Sequence, residues 1–263
     1  TYAIPNYRLP KTYVEQVVAA YEKMGIKFRL NCNVGEDVTT EQLEKDYDDV
    51  FYATGAWKRP VLGFDGEEFT EFGLQFLIEV NQWMNKKERK HVLVVGGGNV
   101  AMDVAITAKR LGAGSVTMAC LESEPEMPAS KEEIARAREE GIVIMPSYGV
   151  SKALYEGDKV TGMELQRCTS VRDAEGRFNP TYDPSEKTVV SADAILMAAG
   201  QRVDLSFLGE KTELALDRGL IQVDKETQAT SKEGIYAGGD ATTGPATVIQ
   251  AIRSGRNAAE AIN

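Results

Sequence analysis

The stretch VLVVGGGNVAMDVA, Val92 to Ala105, sets an apolar strand, a glycine triplet and the start of a helix in direct succession. Gly96, Gly98 and Ala101 hold the three fixed positions of a G-x-G-x-x-A pattern, with Gly97, Asn99 and Val100 between them. Gly96 permits a tight turn, Gly98 lets the backbone approach a pyrophosphate, and Ala101 lets the helix pack closely on the sheet. A diphosphate would then sit at the positive N-terminus of the helix. A glycine triplet alone is weak evidence; its place between a strand and a helix gives it weight.

Working outward, HVLVV, Val100 to Leu111, SVTMAC, Lys131 to Glu140 and IVIM alternate strand and helix, which predicts a βαβαβ unit on a parallel sheet. Ser130 and Glu133 have capping-box spacing for the second of these helices. Glu122 falls 21 positions after Ala101, at the end of the second strand, where a carboxylate accepts hydrogen bonds from ribose hydroxyls. A 2′-phosphate would meet its negative charge, so NADH is favoured over NADPH. Between Val150 and Val190, short runs broken by EGDK, DAEG and NPTYDPSE predict an antiparallel meander before the strand AILMAAG.

Upstream, Val14, Val17, Val18 and Tyr21 have helical spacing over Lys11 to Met24, with Gly25 to end the helix. A strand is expected in IKFRLNCNV, a short helix capped by Thr39 and Gln42 after it, and a buried strand over Val50 to Thr54 that ends at Gly55. Residues 61–90 read as a linker with one helix around Leu74 to Met84. Near the end, GIYAGGD is a strand, and a last helix opens at Pro245.

Composition narrows the function. At 263 residues, with 43% hydrophobic and 27% charged residues, the chain is a globular protein and not a disordered one. Its apolar runs are far shorter than the roughly 20 residues of a membrane span. The opening TYAIPNYRLP lacks the basic start and apolar core of a secretory signal and reads as a cut beginning. A formal charge of −10 without Lys or Arg clusters disfavours nucleic acid. Cys32, Cys120 and Cys168 form no CxxC pair or metal-ligand spacing, so buried, reduced thiols and a cytoplasmic location are expected. His91 is the only histidine and stands at a strand start, and no Ser or Cys has a triad or elbow context. No catalytic side chain and no metal site are therefore assigned.

Several segments coincide with one family. IPNYRLPK, VGEDVT, YDDVFYATGA, GGGNVAMD, EMPASKEEI, AAGQRVD and GIYAGGDATTGPATVIQAIRSGRNAA succeed one another as in the small (beta) subunit of glutamate synthase and related NAD(P)H-dependent flavoprotein oxidoreductases, which the chain resembles over nearly its whole length. The resemblance implies an α/β fold of two Rossmann-like, three-layer dinucleotide-binding domains. A complete NAD(P)H-binding domain at 91–202 would be inserted into an FAD-binding domain made of 1–60 and 203–263. It implies that Gly239 and Asp240 hold the flavin, and that the amides of Ala246, Thr247 and Val248 lie by its ring and stabilise negative charge on the reduced form. Thr54 and Gly55 would mark the exit from the flavin domain, and Gly200 the nicotinamide end and the return crossing.

Two departures shape the expectation. Where NADPH-using members carry an Arg pair, this chain has Leu121 and Glu122, in line with NADH. The family's first flavin fingerprint, expected before IPNYRLP, and the cysteine-rich iron–sulfur region upstream of it are absent, so the flavin domain is expected to be partial. The implied activity is hydride transfer from NAD(P)H to FAD, with electrons passed to an iron–sulfur partner or a glutamate synthase large-subunit-like acceptor. An NADH-binding module or subunit without independent turnover is the alternative.

Overall fold

The computed structural model describes residues 2–83, 88–209 and 212–263. In chain order the elements are α1 (Lys11–Lys23), α2 (Thr40–Asp46), β1 (Val50–Tyr52), β2 (Glu71–Phe72), α3 (Gly73–Trp83), β3 (His91–Val95), α4 (Asn99–Arg110), β4 (Ser115–Cys120), α5 (Lys131–Glu139), β5 (Val143–Pro146), β6 (Tyr148–Glu156), β7 (Lys159–Arg172), β8 (Phe178–Ser191), β9 (Ala194–Met197), β10 (Leu216–Asp217), β11 (Leu220–Ile221), β12 (Ile235–Ala237), α6 (Asp240–Thr243) and α7 (Val248–Ile262). They form two compact units: Thr1–Tyr21 with Val61–Ala199, and Glu22–Pro60 with Gly200–Asn263.

The first unit has three layers. Its middle is a parallel five-stranded sheet in the order β2-β9-β3-β4-β5. Strands of such a sheet are covered on both faces, and alternate side chains go to opposite sides. Val92, Val94, Val116, Met118 and Leu196 accordingly pack beneath the helices with Phe76, Leu77, Met102 and Ile106. Leu93, Val95, Ala119, Ile195 and Met197 meet Ala153, Met163 and Leu165 of the antiparallel sheet β6-β7-β8. The antiparallel meander anticipated over 150–190 is this third layer.

Residues 61–90 do not behave as a linker, because the helix they carry is part of the core. Leu74, Phe76, Leu77 and Val80 of α3 are buried, the Ala153 amide donates to the Asp65 carbonyl (2.9 Å), and Phe69 stacks on Tyr155 with centroids 4.4 Å apart. Met84, the expected end of α3, lies outside the described residues. The grouping of 1–60 as one piece also breaks, at Tyr21. A partly buried charge network draws the first segment to the sheet unit: Arg8 Nη2 donates to Asp103 Oδ1 of α4 (2.6 Å) and to Glu133 Oε2 of α5 (2.7 Å). Burial pushes the Asp103 carboxyl up, against the pull of Arg8 and the Tyr7 hydroxyl. Glu133 therefore does not complete a capping box: the Ser130 hydroxyl accepts from the Glu133 amide (3.3 Å), but the returning half is missing because the carboxylate faces Arg8.

In the second unit β1 pairs in parallel with β12, and Tyr52, Leu208, Leu214, Ile221, Ile235, Ala237 and Ala241 form a small core beside the β10-β11 hairpin. Both halves of the Thr39–Gln42 capping box start α2. The strand expected in IKFRLNCNV does not form. A strand needs a neighbouring strand to take its amides; among the described residues no strand pairs with 26–33, and Ile26, Phe28 and Leu30 are exposed. The apolar stripe of α1 likewise buries no residue. The final helix opens at Val248 and not at Pro245, since Thr247 and Gln250 make the capping box that fixes its start.

Leu196 is fully buried in β9, an interior strand of the five-stranded sheet. Leu196→Ala removes its packing against the helix layer and lowers unfolding stability by about 2–5 kcal/mol, read as a lower urea midpoint with an unchanged slope.

Candidate functional site

β3 is the strand at which the chain's connections change direction, with β4 and β5 on one side and β9 and β2 on the other. Such a switch point opens a crevice beyond the strand C-termini. Gly96 lies there, and its φ of 142° together with its surroundings demands glycine: a Cβ would stand 2.4 Å from the Ala198 carbonyl oxygen. Ala198 is held in place by its own amide, which donates to the Val95 carbonyl (2.7 Å).

Gly98, the N-cap of α4, is different. Its φ of −93° suits any residue, and a Cβ added there would meet no protein atom within 4 Å. Neither backbone conformation nor packing calls for glycine at this place, so the open space is available for something outside the protein. The amides of Gly98, Asn99, Val100 and Ala101 have no acceptor among the described residues, as the first turn of a helix without a side-chain cap leaves them. Ala101 is fully buried against the sheet, while Asn99 and Val100 are exposed.

The end of β4 supplies the other wall. A Cβ on Gly97 would lie 2.9 Å from Glu122 Oε2, so this carboxylate rests against the glycine loop, and it accepts no hydrogen bond from the described residues. The Glu122 carbonyl is fixed by the Ser147 amide (2.8 Å). Two further residues steady the loop: the Ala129 amide donates to the Gly97 carbonyl (3.1 Å), and the Ser130 amide to Asn99 Oδ1 (2.9 Å). Spacing from the glycine pattern does not reach these residues, although EMPASKEEI contains both. Gly96 to Ala101 and Glu122 are thus brought together.

A second group of sequence-selected residues gathers at the ends of β1 and β12. The Gly238 amide donates to the Tyr52 carbonyl (3.0 Å), so the segments carrying Thr54 and Gly55 and carrying Gly239 and Asp240 leave the parallel pair at the same end. Gly239 has φ 64° and ψ −149°, a region open essentially to glycine alone. Its amide donates to the Ser254 hydroxyl of α7 (2.8 Å). The Thr54 hydroxyl is buried without a hydrogen-bond partner. Of the three amides singled out at the start of α7, two are engaged within the chain: Ala246 donates to Asp240 Oδ1 (3.1 Å) and Thr247 to Gln250 Oε1 (3.0 Å). Val248 N and Asp240 Oδ2 have no partner among the described residues. Gly200 is exposed, and a Cβ on it would meet nothing within 4 Å.

The family model described as pyridine nucleotide-disulphide oxidoreductase matches residues 7–255. The chain belongs to this family. Within it, the chain is 38% identical over 266 residues to the NADP(+)-dependent formate dehydrogenase subunit beta of Moorella thermoacetica, covering 99% of this chain and 38% of that one. It is 35% identical over 279 residues to the glutamate synthase [NADPH] small chain of Halomonas elongata, covering 100% of this chain and 59% of the relative. The kinship expected from the motifs therefore holds, and the chain spans roughly two-fifths to three-fifths of the length of these family relatives. Among solved structures, FprA of Mycobacterium tuberculosis in complex with NADPH shares the fold with a TM-score of 0.73 at 18% identity, over 96% of this chain and 72% of that chain.

Chemically, the glycine loop with Glu122 offers hydrogen-bond donors and one carboxylate. Among the described residues no group of three or more His, Cys, Asp and Glu side chains is placed to hold a metal ion, and no helix is long and apolar enough to cross a membrane. His91 is exposed and its Nδ1 lies 2.9 Å from the Ser115 hydroxyl, away from the glycine loop at the far end of β3. Cys120 packs under Gly97; burial, with the nearby Glu122 charge, pushes its thiol up to about 12. Cys168 is buried and raised as well, whereas Cys32, expected to be buried, is partly exposed because the segment around it forms no strand. In the folded chain a thiol reagent such as DTNB at pH 8 therefore titrates Cys32 fast and the other two only on unfolding. Rapid modification of Cys120 in the native state would contradict its placement.

Proposed function

We propose that this chain is a module of a flavin-dependent oxidoreductase that binds a nicotinamide dinucleotide at Gly96 to Ala101 and delivers its hydride to FAD. From there electrons go to an iron–sulfur partner or a glutamate synthase large-subunit-like acceptor, in the cytoplasm. The observation that carries this reading is the open N-terminus of α4, where unpaired amides surround a Gly98 that the protein itself does not require. Backbone amides at a helix start are a natural diphosphate site.

Glu122 favours NADH. Its carboxylate lies against the loop, unpaired, at the end of β4, where it accepts from the 2′- and 3′-hydroxyls of the adenosine ribose. The relatives named above carry NADP(+) or NADPH in their names, which weighs against this preference and makes the NADH to NADPH comparison the deciding measurement.

Residues of the second unit fit a flavin through the orphaned Thr54 hydroxyl, Asp240 Oδ2 and the Val248 amide. FAD supplies, when bound, the acceptor chemistry for the hydride. Orientation and exclusion of water are then what the chain contributes, and no side-chain acid or base is needed. A second reading, an NADH-binding module without independent turnover, is favoured by the internal engagement of the Ala246 and Thr247 amides.

A visible spectrum separates the two. The oxidoreductase reading expects flavin bands that NADH bleaches anaerobically; a colourless chain that still binds NADH supports the second. Gly98→Ala tests the loop itself: stability changes by no more than about 1 kcal/mol, while the dissociation constant for NADH rises roughly tenfold or more, about 1.4 kcal/mol. Unchanged affinity would remove the diphosphate from this place. Glu122→Ala shifts the ratio of NADH to NADPH affinity by roughly tenfold toward NADPH, and a wild-type chain that already prefers NADPH overturns the ribose assignment.

A further inference from the structure

The segment Ile4–Pro10 has no role in the chemistry above, yet it is built into the helices that form the loop. Arg8 donates from Nε and Nη2 to Asp103 Oδ1 (2.8 and 2.6 Å) and from Nη2 to Glu133 Oε2 (2.7 Å). The Tyr7 hydroxyl donates to the same Asp103 oxygen (3.0 Å), and the Arg110 guanidinium lies over the Tyr7 ring at 4.3 Å. Asp103 and Glu133 are the two charged side chains among the buried residues described.

Their positions matter more than their charge. Asp103 is four residues, about one turn, beyond Asn99 at the start of α4, and Glu133 is three beyond Ser130, the N-cap of α5. The two helix starts are themselves joined, through the Ser130 amide and Asn99 Oδ1. The contacts close a ring: Arg8, Asp103, α4, Asn99, Ser130, α5, Glu133 and back to Arg8. Buried ion networks of this kind are often replaceable by apolar groups without loss of stability, and their best-attested use is to fix registry.

We propose that Arg8 is a positioning residue for dinucleotide binding: it locks α4 and α5 in the register that holds the Gly96 to Ala101 amides toward a diphosphate. The proposal rests on the reading of that loop as a nicotinamide-dinucleotide site. Arg8 touches no dinucleotide in this scheme and acts through Asn99 and Ser130.

The test is NADH affinity of the full chain by calorimetry, well below the melting temperature of each variant. Arg8→Gln raises the dissociation constant roughly five- to tenfold, and Arg8→Lys recovers part of the loss, keeping the charge without the forked contact. The triple variant Arg8→Met, Asp103→Asn, Glu133→Gln leaves no buried charge unpaired and folds even if Arg8→Gln does not; it binds as weakly as Arg8→Gln. Asn99→Ala breaks the ring elsewhere, so its combination with Arg8→Gln binds no worse than the weaker single variant. Folded variants that melt at lower temperature but bind NADH within about twofold of wild type, or single effects that simply multiply, overturn the proposal alone. A wild-type chain that binds neither NADH nor NADPH overturns the loop reading, and this one with it.

Discussion

Where β3 ends, the backbone of Gly96 and the carbonyl of Ala198 approach so closely that no side chain fits between them. That contact exists because β9 returns beside β3 on the side opposite β4, and the Ala198 amide continues the pairing by donating to Val95. The chain must leave β3 at a φ that only glycine takes comfortably, and this turn delivers α4 with its first amides facing outward. Moving β9 by one residue, or adding one methyl at Gly96, would displace the helix start. The candidate site is thus a consequence of strand order as much as of the residues that line it.

The two units use their apolar residues differently. In the first, successive residues of β3 and β9 go to opposite cores, one under the helices and one under the antiparallel sheet, so the strands that carry the loop are fixed from both sides. In the second, a smaller core holds β1 and β12 together, while Ile249 and Ile252 of α7 and Leu30 of the preceding segment stay exposed. A loop at the end of strands buried on two faces has little freedom to reorganise, because closely packed interiors transmit strain and do not absorb it. On the proposed reading, amides held this way would need no rearrangement to receive a diphosphate.

The legible part of the sequence is local. Strand, glycine loop and helix over Val92 to Ala105 are adjacent in the chain, and the hydrophobic periods on either side fix their types; the Thr39–Gln42 box is equally short-range. The illegible part depends on partners distant in sequence. Nothing near Arg8 indicates that its guanidinium meets residues 95 and 125 positions later, so sequence alone groups residues 1–21 with the wrong neighbour. Glu133 has the spacing of a capping box, but that same distant Arg8 competes for its carboxylate. IKFRLNCNV has the composition of a strand, yet composition cannot supply the neighbouring backbone that a strand requires. Ala129 and Ser130 are legible as family-like residues but not as the hold on the loop, since their role lies in backbone amides.

Charge around the loop is distributed unequally, and the magnitudes decide which end of a dinucleotide is discriminated. Asp103, about one turn into α4, and Glu133, on the first turn of α5, would oppose an anion, but they are buried and share the Arg8 cation. Glu122 has no such partner. The helix terminus attracts an anionic group by about 0.3–1 kcal/mol, whereas two unit charges about 4 Å apart near a protein surface interact by about 4 kcal/mol. On the proposed reading, the diphosphate end of a dinucleotide would meet an amide-rich surface whose nearby acids are paired, and the ribose end would meet the unpaired Glu122 side chain. A 2′-phosphate placed there would meet a repulsion larger than the helix terminus returns, while a 2′-hydroxyl would find an acceptor in the same side chain. Under the proposed reading, any selectivity at Glu122 would follow from this contrast: Asp103 and Glu133 are paired with Arg8, whereas Glu122 has no partner among the described residues.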